Sequence, residues 1–139
     1  MKNISVLNFP IKGDERGSLI ALEQGVDVPF DIKRIYYIFG TKLGVSRGYH
    51  AHYNLEQMVI CLKGSVTFRL DNGVKQETKT LSSPDEGLHM KGLIWREMHN
   101  FSEDCVLMVI ASELYDEADY IRDYEMFKQE ANRANSSSQ

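Results

Sequence analysis

Two histidines separated by a single residue, His50 and His52, are the side chains in this sequence best suited to chemistry near neutral pH. In an extended chain alternate residues face the same way, so both imidazoles line one surface, about 6–7 Å apart along the strand. Such a pair can chelate a transition metal, divide acid–base work, or be a half-buried polar pair. The opposite face carries Arg47, Tyr49 and Ala51, and Gly48 leaves the histidine face open to close approach. Arg47 reaches the histidine side only if the strand twists or bulges there, or by way of a neighbouring subunit.

Other candidates stand on neighbouring stretches. Ile32 to Phe39 is the strongest strand signal, rich in β-branched and aromatic residues. Its parity separates Arg34, Tyr36 and Ile38 from Lys33, Ile35, Tyr37 and Phe39, so only one of Tyr36 and Tyr37 can enter a cavity. A guanidinium on a core-facing strand is costly unless that face lines a cavity or the strand is an edge. The turn-rich Gly13 to Ser18 delivers Arg16 to the mouth of the run Leu19 to Leu22.

The elements that must position these side chains are short strands at turn-marked intervals. Ile4 to Phe9, Glu56 to Leu62, Ser65 to Leu70, Val74 to Leu81, Leu88 to Met90, Trp95 to Phe101 and Val106 to Ser112 read as strands, without a helical pattern between them. This predicts an all-β antiparallel sandwich or barrel. From Asp116 to Ala134 apolar and aromatic residues recur at helical intervals, predicting a short C-terminal helical segment. Residues 132–139 are polar and serine-rich and are expected to be a disordered tail after a single domain spanning 1–131.

The 139 residues, 42% hydrophobic and 26% charged, suffice for one core. A net charge of −4 offers no footprint for nucleic acid, and no window approaches the length of a membrane span. A cytoplasmic location is expected. Cys61 and Cys105 sit in apolar runs and read as core side chains.

The succession Gly44, His50-x-His52, Gln57, Gly64 resembles the first motif of the cupin superfamily, and Gly87 through Trp95-Arg96-Glu97-Met98-His99 resembles a degenerate second motif. The resemblance implies a double-stranded β-helix, or jelly-roll, barrel. The phrases Asp14-x-Arg16-Gly17-Ser18-Leu19, Ile32 to Phe39, Arg47-Gly48-x-His50-Ala51-His52, Gln57, Trp95-x-Glu97-Met98-His99 and Tyr115-Asp116-Glu117-x-Asp119-Tyr120-Ile121-Arg122 together are similar to the nucleotide-sugar 3,4-ketoisomerases, enzymes of dTDP-4-keto-6-deoxyglucose. A metal-binding cupin would have a glutamate where Gln57 stands and a histidine where Glu97 stands, so no metal and no cofactor is expected. Position 53, often lysine in these isomerases, is Tyr53, which parity turns away from the histidines.

The resemblance implies a dTDP-sugar isomerase working by proton transfer through an enediol or enediolate. His50 matches the base of related epimerases, His52 would carry a second transfer or polarise an oxygen, and Tyr36 or Tyr37 would donate. Arg16, Arg34 and Arg47 are the candidates for the diphosphate. Gln57, Arg96, Glu97 and Arg122 are expected to bind substrate or rim the site. Arg16 and Arg96 are suspected of controlling stereochemistry at C4, with the galacto product expected over gluco. The product would feed an aminotransferase making a surface-glycan sugar such as one of an O-antigen. A homodimer is expected, with N-terminal strands open to exchange. The alternatives are a 3,5-epimerase of the same barrel, which His52 speaks against, a non-catalytic sugar-nucleotide-binding cupin, and a metal-dependent oxygenase.

Overall fold

Two antiparallel five-stranded sheets face each other in the computed structural model, which describes residues 1–137. The strands are β1 (Ile4–Asn8), β2 (Lys12–Asp14), β3 (Gly17–Leu19), β4 (Arg34–Ile38), β5 (Arg47–His52), β6 (Gln57–Lys63), β7 (Val66–Asp71), β8 (Gln76–Leu81), β9 (Glu86–Met90), β10 (Trp95–His99), β11 (Val106–Ala111) and β12 (Tyr120–Ile121). One sheet runs β1-β9-β6-β11-β4 and the other β12-β5-β10-β7-β8; β2 and β3 form a separate hairpin. Such interleaving of strands between two facing sheets is the jelly-roll arrangement of the cupins.

Alternation along each strand decides what the barrel encloses. In β6, Gln57, Val59 and Cys61 face inward, whereas Met58 and Ile60 face outward into a second apolar layer with Phe9, Val28 and Ile110. The interior between the sheets is filled by Val59, Phe68, Leu70, Leu88, Ile94, Phe101, Leu107 and Val109 at one end. The other end is left to the polar residues of the site. Cys61 and Cys105 are buried free thiols with sulfurs 3.8 Å apart. Burial pushes the Cys61 thiol up to about 12, which keeps it protonated and unreactive.

The C-terminal segment differs from its expected form. The stretch starting at Asp116 is first a 3-10 turn, Glu117–Asp119, capped by the Asp116 side chain, and then the strand β12. The helix α1 begins only at Tyr124 and runs to Ser137. It therefore continues into the stretch expected to be disordered, because Phe127 and Ala131 are buried against Ala51, Trp95 and Ile121 on the outside of the second sheet. That contact anchors the helix beyond what its polar sequence suggests. Ser138 and Gln139 lie outside the described residues.

Candidate active site

The open end of the barrel holds a cavity of about 460 Å³, lined by Arg34, Tyr36 and Ile38 from β4, Arg47, Gly48 and His50 from β5, Met98 from β10, and Tyr115, Tyr120 and Arg122 from the C-terminal segment. His50 lines its wall, and His52 lies buried beside it. Their ring centroids are 4.9 Å apart, and Tyr120 stacks against both, at 5.1 Å from His50 and 4.3 Å from His52. The pairing of β12 with β5 sets this contact, with Tyr120 opposite His52 in the ladder.

Each histidine is held differently. His52 is almost wholly buried, and its Nδ1 lies 3.2 Å from Asp119 Oδ2. The carboxylate accepts from Nδ1–H, which leaves Nε2 as the unprotonated nitrogen. That Nε2 is buried and has no hydrogen-bond partner. Asp119 also accepts from the backbone N–H groups of Asn54 and Leu55, so it is fixed before it orients the imidazole. His50 is partly open to the cavity. Desolvation, reinforced by the charge on Arg96, lowers its pKa to about 4, and the same causes lower His52 further. Both rings are therefore neutral at physiological pH and able to accept a proton.

Arg96 stands opposite His50 in the β5–β10 ladder, 2% exposed. Its Nη1 donates to Gln57 Oε1 at 2.5 Å, and its Nε and Nη2 donate to the carbonyl of Ile94. Gln57 Nε2 in turn donates to the Tyr36 hydroxyl at 3.1 Å, so Gln57 ties the two sheets together. No carboxylate pairs with this guanidinium among the described residues, and burial lowers its pKa to about 10, still well above neutrality. A fixed, dry cation beside two neutral imidazoles suits an anion that forms during reaction. Burial raises the pKa of Tyr36, keeping its hydroxyl a proton donor.

The remaining predicted residues divide sharply. Arg34 lines the cavity, with its guanidinium 5.2 Å from the Tyr36 ring and 5.7 Å from the Tyr115 ring and its buried Nε unpartnered. Arg122 lies over Tyr120 at 4.1 Å and pairs with Glu117. Arg47 reaches the cavity because β5 bulges. Arg96 pairs with His50 and Glu97 with Gly48, so Tyr49 has no partner across the ladder and the parity flips at that point. Three of the candidate site residues lie away from the cavity. Tyr37 points outward, 63% exposed against Phe39, because strand alternation gives the cavity to Tyr36. Glu97 faces away from the cavity for the same reason, accepting from Trp95 Nε1 and bonded to His99. Arg16 sits on the tip of the β2–β3 hairpin, 86% exposed and paired with Asp14, and does not line the cavity. Tyr53 packs toward α1, as parity predicts.

Asp119, Tyr115 and Tyr120 escaped notice as site residues. For Tyr120 a signal exists in the period-two spacing of Tyr120 and Arg122 around the apolar Ile121, which marks a strand; none points to Asp119. The helical spacing of the residues that follow masked it. Among the described residues no group of three or more His, Cys, Asp or Glu side chains converges as a metal would require.

Comparison with known proteins agrees with this geometry. The family model described as "FdtA: WxcM-like, C-terminal" matches residues 2–132. The chain is 53% identical over 123 residues, 88% of each protein, to the TDP-4-oxo-6-deoxy-alpha-D-glucose-3,4-oxoisomerase of Aneurinibacillus thermoaerophilus. It superposes with a TM-score of 0.93 on a variant of the 3,4-ketoisomerase QdtA from Thermoanaerobacterium thermosaccharolyticum in complex with TDP-4-keto-6-deoxyglucose, at 44% identity over 96% of both chains. It matches the TDP-quinovose 3,4-ketoisomerase WlaRB of Campylobacter jejuni with a TM-score of 0.90 at 49% identity, covering 93% of this chain and 99% of that one.

Proposed function

Because the chain belongs to the FdtA (WxcM-like, C-terminal) family, we propose that it is a 3,4-ketoisomerase that converts TDP-4-keto-6-deoxyglucose into the corresponding 3-keto sugar. The observation that carries this reading is the neutral His50 in the cavity wall, opposite the buried cation Arg96. Moving the ketone requires a base for the C3 proton and a stabilised oxygen anion at C4. His50 takes the C3 proton; the electrons of that bond form the C3–C4 double bond, and the carbonyl oxygen becomes an enediolate held in the field of Arg96. The proton of the C3 hydroxyl passes to the C4 oxygen, a proton is delivered to carbon C4, and the C3 oxygen becomes the new ketone as the double-bond electrons move to C4. Tyr36, kept protonated by burial, and His52, with its free Nε2, are the groups assigned to the second transfer.

Arg34, Arg47 and Arg122 supply the diphosphate contacts, since guanidinium forks match phosphate oxygens. No step requires a metal. The galacto product is the expected one. Arg16 stands on an exposed hairpin of its own subunit, so any part it takes at a site comes from across a dimer interface. A homodimer is supported by the exposed apolar row Ile35, Tyr37 and Phe39 on the sheet-edge strand β4 and its continuation. No helix among the described residues is long and apolar enough to cross a membrane, and a cytoplasmic enzyme feeding amino-deoxysugar synthesis is the setting proposed.

The test is proton NMR of TDP-4-keto-6-deoxyglucose with the protein in deuterated buffer, with and without chelator. Expected is deuterium at C4 of a 3-keto product, unaffected by chelator, and the coupling of the C4 proton in a parallel run in ordinary water assigns galacto or gluco. Exchange at C3 and C5 without migration of the ketone means an epimerase instead.

A further inference from the structure

Behind the cavity wall, on the opposite face of the second sheet, lies a chain of polar contacts that the reaction itself does not use. Ser46 Oγ is 2.8 Å from His99 Nδ1, His99 Nε2 is 2.8 Å from Glu97 Oε1, and Trp95 Nε1 donates to Glu97 Oε2 at 3.0 Å. With the carboxylate accepting from Nε2–H, Nδ1 is left to accept from the Ser46 hydroxyl. All three polar side chains are partly shielded, with His99 30% and Glu97 19% exposed. The Tyr49 ring meets the edge of His99 at 5.9 Å between centroids.

These contacts bracket the β5 bulge. Ser46 immediately precedes it, and Tyr49 is its unpaired residue. Gly48 and Tyr49 both have positive φ, 92° and 62°, a region that a tyrosine enters only when its surroundings hold it there. The bulge has a single consequence for the site, which is to turn Arg47 onto the same face as His50. Arg47 itself has no ion pair among the described residues to steady it. Its direction must come from the backbone, and the backbone at that point is tied down by His99.

We propose that Ser46, His99 and Glu97 form a positioning relay that locks the β5 bulge and thereby aims Arg47 into the cavity at the substrate diphosphate. Trp95 fixes the carboxylate, the carboxylate fixes the imidazole, and the imidazole holds the chain on either side of the bulge through Ser46 and Tyr49. None of the three side chains touches the substrate. This assignment rests on the nucleotide-sugar reading of the cavity.

The test is a double-mutant cycle read by calorimetric binding of TDP, which carries the diphosphate but cannot react. Ser46→Ala is expected to weaken TDP binding about fivefold in the wild-type background, the size of one neutral hydrogen bond. In an Arg47→Ala background it is expected to change nothing. Ser46→Thr keeps the hydroxyl and restores affinity, and His99→Phe keeps the ring against Tyr49 but repeats the loss. With substrate, Ser46→Ala raises KM and leaves kcat, since the lost contact serves ground and transition states alike. Equal losses in both backgrounds overturn the relay while leaving the nucleotide-sugar reading intact. Failure of the wild-type protein to bind TDP overturns that reading, and the relay with it.

Discussion

His50 and His52 share one surface, and their surroundings give them different tasks. Desolvation and the neighbouring Arg96 lower the pKa of His50 from 6.5 to about 4. The acid limb of kcat/KM is therefore expected near pH 4, well below the ordinary histidine value. The same shift bears on stability. Between about pH 6.5 and 4 the unfolded chain binds a proton at this position that the folded chain does not, so stability falls as pH falls through that window, by up to about 1.4 kcal/mol per pH unit, and levels below it. Urea unfolding of wild type and His50→Asn at both ends of the window checks this, the variant losing less. His52 depends on Asp119 for its tautomer. Asp119→Asn, which can present its amide N–H to Nδ1 and so shift the imidazole proton to Nε2, is expected to lower kcat by about 10–100-fold, as loss of an orienting partner does elsewhere. Steady-state turnover with unchanged TDP affinity is the measurement, and an unimpaired kcat places His52 outside the chemistry.

Among the elements, the helix and the bulge carry most of the consequence. The helix α1 has polar residues over most of its length and would be marginal alone. Phe127 is fully buried with Trp95 at 5.8 Å and Tyr124 at 5.9 Å. Phe127→Ala is expected to cost about 3–4 kcal/mol in urea unfolding, and because α1 backs the strand bearing the histidines, turnover should fall as well. At the bulge, a Cβ on Gly48 would meet the Arg96 carbonyl oxygen at 3.0 Å and the Glu97 Cα at 3.3 Å, in a conformation with φ 92°. Only glycine allows β5 and β10 to approach so closely there. The cavity is thus built from one regular strand, β4, and one deliberately irregular one, β5.

Over the whole molecule, an acidic chain of net charge −4 gathers Arg34, Arg47 and Arg122 around one opening, with Arg96 buried next to His50. That concentration attracts a diphosphate where the overall charge would not. The opposite concern is the outer face of β4 and its continuation, where Ile35, Tyr37 and Phe39 are all more than half exposed. A second apolar groove of about 410 Å³ lies on the outside of the first sheet, between the β2–β3 hairpin and residues Ile60, Leu62 and Met108. Apolar surface of this kind is ordinarily covered in a stable protein. Sedimentation is expected to show twice the chain mass for wild type, and a shift toward the single chain for the double variant Tyr37→Asp, Phe39→Asp. A wild-type protein that sediments as one chain would refute the dimer.

Local patterns in the sequence determine an all-β sandwich or barrel, the shared face of His50 and His52, the alternative faces of Tyr36 and Tyr37, and the burial of Cys61 and Cys105. These follow from alternation along single strands, which is a property of neighbouring residues. Tertiary structure alone decided which face was the inside. It took Tyr36 and left Tyr37, took Arg96 and left Glu97, and kept Arg16 on a distant hairpin, because those outcomes depend on which strands pair across the barrel. Arg47 crossed to the histidine face through a bulge whose register is visible only in its ladder with β10. Asp119, sixty-seven positions from the histidine it orients, was beyond any local pattern: it meets His52 only when β12 adds to the edge of β5, a pairing no spacing in the sequence announces.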